Sequence, residues 1–174
     1  DTLDNRDGGL VNSQGGLALG AAHLDSSAGG EVSARGDMQL SLGTLVQQHG
    51  VLIGEAALGL ALGAGGLDNQ GGLIGSRGAL ALASLGALDN RGGEISGLGA
   101  LTVSAPTLDN RAGRLISRDR LALALGDTDN QGGLLSGWLG LVLTGGDLDN
   151  RQFGTVSSRS GDLALTLAGE LLNS

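Results

Sequence analysis

Seven aspartates recur at one place in a repeated phrase: Asp4, Asp25, Asp68, Asp89, Asp109, Asp129 and Asp149. A file of carboxylates can bind calcium, or do acid–base chemistry where two stand a few ångströms apart. The phrase is L-D-N-[RQ]-G-G, clearest as LDNRGGEIS from Leu88 and LDNQGGLIG from Leu67. Calcium β-rolls use G-G-x-G-x-D-x at nine-residue spacing, and this phrase does not match it. Two residues after most of the aspartates stands a guanidinium or amide: Arg6, Gln70, Arg91, Arg111, Gln131 and Arg151. Most of the carboxylates therefore have an organic partner in their own word, and no metal site is assigned.

A catalytic site is local and interrupts a repeat, so the irregular positions are the places to look for one. The third unit, LVQQHGVLIGEA, lacks the aspartate and carries His49 and Glu55. His23 falls at a different place in its own unit, so the two histidines do not form a ligand pair, and His49 reads as a solvated corner residue. No G-x-S-x-G, P-loop or HExxH is present. The expectation is a protein with no catalytic residue and no cofactor. Two features remain as candidate ligand contacts. One is Trp138 in SGWLGL, an aromatic face on which a sugar ring or an adhesion partner could stack. The other is Arg77, Arg118 and Arg159, which with Arg35 recur in every other unit and form a sparse basic stripe suited to an anion.

Composition limits what can position these residues. Of 174 residues 35 are Gly, with one Pro, one Trp, one Phe, no Tyr and no Cys. A core must then be aliphatic and regular, and disulfides and thiolate metal sites are absent. All ten basic residues are Arg and the net charge is −8, so phosphate backbones are unsuitable partners. No apolar run reaches the roughly 18 residues of a membrane-spanning helix, so no membrane insertion of this segment is expected.

The organisation is the repeat itself. Units begin at Leu3, Leu24, Leu45, Leu67, Leu88, Leu108, Thr128 and Leu148, with a stub at Leu171, a period of 20–23 residues. After the word comes a short loop and then an alternating run such as LGLAL (Leu58–Leu62) or LALAL (Leu121–Leu125). Leucine and alanine favour helices, but runs this short, bounded by glycine and strictly alternating, predict strands. One unit cannot bury its leucines, whereas copies stacked about 4.8 Å apart enclose a continuous core. The expected fold is all-β, a right-handed parallel β-helix of about eight rungs. Residues 1–174 form a single segment, read as an excised piece of a longer rod.

Stacking aligns the third place of each word: Asn5, Ser26, Gln47, Asn69, Asn90, Asn110, Asn130 and Asn150. With these pointing inward, their amides are expected to bond from rung to rung as a structural ladder. The glycine pairs after them are expected to supply positive φ at the corner. Units two and three depart from the word and are where a bulge or inserted loop is expected.

The words LDNRGGEIS, LDNQGGLIG and TDNQGGLLS, each with its L-x-L-x-L partner, resemble the haemagglutinin repeats of the filamentous haemagglutinin family. These are large exoproteins of Gram-negative two-partner secretion, including adhesins and the stalks of contact-dependent growth-inhibition toxins. The resemblance spans essentially the whole chain. It implies a β-helical rod secreted to the bacterial cell surface, the exterior of the outer membrane, through an outer-membrane transporter. Partners would be adjoining repeats of the same chain and, for a direct binding module, a surface receptor or glycan. It also implies that adhesive or toxic activity resides elsewhere in the full protein.

Overall fold

The computed structural model describes residues 1–174 and contains no helix. Strands stack in two sheets, one of twelve strands and one of eight, and every pairing is parallel. Each rung contributes a four-residue strand to the smaller sheet, from Leu10–Ser13 in the first rung to Thr155–Ser158 in the eighth. The L-x-L-x-L run supplies the larger sheet. Parallel stacking of like on like makes this a β-solenoid of about eight turns.

The glycine- and polar-rich return after L-x-L-x-L is more ordered than a connecting loop. In five rungs the strand runs through it into the next word: Leu17–Asp25, Met38–Val46, Leu58–Asp68, Leu101–Asp109 and Arg120–Asp129. Rung-to-rung hydrogen bonds lie along the rod axis, so a bend within a rung does not cost the pairing. The bend itself is skipped by the ladder: Ala105 pairs with Leu125 and Thr107 with Asp127, while Pro106 has no register partner. This is where a residue without an amide proton does least damage, and it holds the only proline.

Register carries each word onto the next. Leu24 lies on Leu45, Leu45 on Leu67, Leu67 on Leu88, and Leu88 on Leu108. The inward residues form one core of 29 buried apolar side chains, almost all Leu, Ile or Val. Stacked identical side chains fill the interior at uniform spacing, which is how the fold dispenses with aromatics. Thr128 replaces a leucine in one inward file; it is buried and its hydroxyl has no partner.

One irregularity interrupts the register. Between Leu42 and Thr44 on one strand, and Leu62 and Gly66 on the next, the pairing shifts to accommodate Gly63, Ala64 and Gly65. The bulge thus lies in units two and three, where one was expected, but in their returns rather than in their altered words.

Candidate functional site

Two corners of each rung carry its polar chemistry. The first follows the L-D of the word. In the fifth rung Asn90 turns inward and is fully buried, while Asp89 and Arg91 face out. The alternation of strand side chains sets this division. Asn69 Nδ2 donates to Asn90 Oδ1 at 2.7 Å, Asn90 to Asn110 at 2.8 Å, Asn110 to Asn130 at 2.7 Å, and Asn130 to Asn150 at 2.7 Å. Asn150 continues to Asn173 at 2.8 Å. At the other end Asn5 Nδ2 donates to Ser26 Oγ at 3.0 Å. The same amides also reach carbonyls of the corner, such as Asn110 Nδ2 to Gly113 O at 3.3 Å.

The two corner glycines differ in kind. Only the first of each pair has positive φ: 61° at Gly71, 61° at Gly92 and 63° at Gly132. That place tolerates other residues, with Ala112 at 53°, His49 at 54° and Ala28 at 51°. Positive φ is therefore not what requires the second glycine. A Cβ at Gly93, Gly113 or Gly133 would fall on the backbone carbonyl of the ladder asparagine one rung before it. Close approach of rungs, needed for the ladder, fixes glycine there.

Outside the ladder the carboxylates and guanidiniums interlock. Arg91 pairs with Asp89 at 2.6 Å and reaches Asp109 at 3.6 Å; Arg111 pairs with Asp109 at 2.6 Å and reaches Asp129 at 3.6 Å. Gln131 Nε2 joins Asp129 and Asp149, and Arg151 closes the series on Asp149. Arg6 does the same between Asp4 and Asp25. Hydrogen bonds from Arg6 hold the Asp4 carboxyl down at about 2. Arg151 likewise lowers Asp149. For Asp109 burial acts to raise the value, and the bonds and charges of Arg111 and Arg91 outweigh it.

The second corner follows the four-residue strand. Backbone bonds run Arg35 to Ser13, Glu55 to Ala34, Arg77 to Gly54, Leu98 to Ser76, Arg118 to Gly97, Trp138 to Ser117 and Arg159 to Gly137. Arg77, Arg118, Arg159 and Trp138 therefore belong to one exposed column, with Leu98 between the first two arginines. Read in sequence as two features, the tryptophan and the arginine stripe share one column: Trp138 follows Thr128 by the ten residues that separate Arg118 from Leu108, and the register confirms the alignment. The Arg159 guanidinium lies 4.2 Å from the centroid of the Trp138 ring and covers part of one face. Arg35, Arg77, Arg118 and Arg159 take part in no ion pair.

Phe153, which sequence reasoning passed over, is 98% exposed and has φ of 66°. Its signal was the spacing from Asn150 to Gly154, one residue longer than from Asn130 to Gly133. Nothing in the structure explains its exposure. His49 is exposed, with its ring over Gly71, and no group of three or more His, Cys, Asp or Glu is placed to hold a metal ion.

A self-stacking corner copied along the chain, with its charges internally matched, defines a repeat-built scaffold. The haemagglutinin repeat family model matches residues 1–92 and 97–174, so the chain belongs to the filamentous haemagglutinin repeat family. That family consists of secreted bacterial surface proteins. No curated protein and no solved structure matches the chain.

Proposed function

We propose that the chain is a structural and adhesive rod segment of a large secreted bacterial exoprotein, extending an adhesin or toxin tip from the cell surface. The observation that carries this reading is the Asn69–Asn173 ladder, in which each rung presents to the next the surface it received. Such a corner propagates length and carries no information about a ligand. Adjoining repeats are its immediate partners, and an outer-membrane two-partner secretion transporter is its partner in export. Catalysis has no part in the reading, because the aspartates of the word are engaged by neighbouring side chains, and Asp4, Asp109 and Asp149 are held low, unsuited to donate a proton near neutrality. The test is deletion of rungs five and six, residues 88–127, from the parent protein. A spacer predicts a shorter reach with tip activity retained; loss of activity with an intact, folded tip contradicts it.

A second reading, a direct receptor- or glycan-binding module, draws on the unpaired Arg77, Arg118 and Arg159 beside Trp138. Against neutral sugar stacking stands the guanidinium of Arg159 on the indole face. A glycan array comparing the wild type with Trp138→Ala and Arg118→Ser tests it. Signal lost in both variants supports the module, and no signal from the wild type excludes it.

A further inference from the structure

The ladder fails at one rung. Gln47 is fully buried, yet neither its Nε2 nor its Oε1 has a hydrogen-bond partner, and the buried Asn69 Oδ1 beside it has no donor. Glutamine is one methylene longer than the asparagine of other rungs, and Ser26 before it is shorter. The amide thus sits out of step with both neighbours.

Two further features coincide with this rung. Val46 occupies the outward place of the word's aspartate, so the ion-pair file that links Asp4 to Asp25 does not continue through the third rung. The register shift at Leu42/Thr44 falls on the strand pair joining the second rung to the third, where Gly43 alone faces Gly63, Ala64 and Gly65. Gly66 follows at φ of 69°; this glycine-rich segment has backbone freedom to regain on opening. The main-chain bonds remain regular, as in Gln47 N to Asp68 O at 2.6 Å, and on the outside Gln48 Nε2 still donates to the Asp68 carboxylate.

We propose that the third rung is a built-in yielding point, where the solenoid opens before any rung farther along the chain. A load along the rod, or a thermal fluctuation, parts it there. Orphaned buried amides lower the cost of opening, because on exposure they gain water as a partner. From the fourth rung onward opening must break an intact asparagine ladder.

Hydrogen exchange on the full 174-residue chain tests this. The amides of Gln47 and His49 are matched by those of Asn110 and Ala112, which make equivalent bonds to the following rung at 2.7 and 3.0 Å. The third and sixth rungs are each third from an end, so fraying affects both alike. The expected result is exchange about tenfold faster at Gln47 and His49; equal or slower exchange overturns the proposal. Gln47→Asn should then slow exchange at His49 toward the Ala112 rate. A folded Gln47→Asn protein with an unchanged His49 rate also overturns it. If that variant does not fold, the wild-type comparison decides.

Discussion

The two corners of each rung use the same residue types to opposite ends. At the word corner an amide is buried, bonded along the axis and flanked by arginines that each hold a carboxylate. At the other corner Arg35, Arg77, Arg118 and Arg159 stand in water with no carboxylate partner, interleaved with Glu55, Leu98 and Trp138. One corner keeps its chemistry constant because each copy must fit the next. The other changes from rung to rung because its side chains need not fit copies of themselves, and its one ring, Trp138, meets the unlike Arg159. Uniformity therefore marks the place under structural constraint, and variation marks the surface left open for a partner.

Breaking the uniform corner should have the largest effect. Asn110→Ala deprives Asn130 Oδ1 of its donor and removes the acceptor for Asn90 Nδ2. A cost of about 3 kcal/mol is expected, measured by urea unfolding, since buried groups left unpaired cost roughly 1–3 kcal/mol each. Gly113→Ala places a methyl on the Asn90 carbonyl and should destabilise by about 2 kcal/mol. Ala112→Gly, one residue earlier, relieves a positive φ and should raise stability by about 0.5 kcal/mol. Opposite signs at neighbouring positions would confirm that the two corner glycines are selected for different reasons.

Acid sharpens the comparison from the outside. The Asp4, Asp109 and Asp149 carboxyls titrate below their ordinary range in the folded chain. Their stabilisation is fully present above the unfolded value of about 4 and is lost as pH falls through the folded values, about 2 for Asp4. The melting temperature should drop over that window, less steeply in high salt because these pairs are exposed. The arginine corner, with no carboxylate partners, contributes nothing to that drop.

The strands and their parallel stacking were legible in sequence because period-two alternation and a fixed repeat each admit one solution. Column membership is legible wherever the word keeps its spacing, as it does from Asn69 to Asn150. It is legible at the second corner too, where Trp138 follows Thr128 by the ten residues that separate Arg118 from Leu108; Arg159, one place further from Leu148, is aligned only by the register. The two roles of the glycine pair were also hidden. Both residues have the same letter, and only the three-dimensional approach of Gly113 to the Asn90 carbonyl separates clash from dihedral angle. The orphaned amide of Gln47 was hidden likewise, since a glutamine in an asparagine file reads as a conservative change.

The most direct test is a paired urea titration of Asn110→Ala and Arg118→Ser, two variants of the same rung, one at each corner. The expected result is a midpoint well below the wild type for Asn110→Ala and a stability within about 0.5 kcal/mol of it for Arg118→Ser. Equal shifts, or a larger one for Arg118→Ser, would contradict the account.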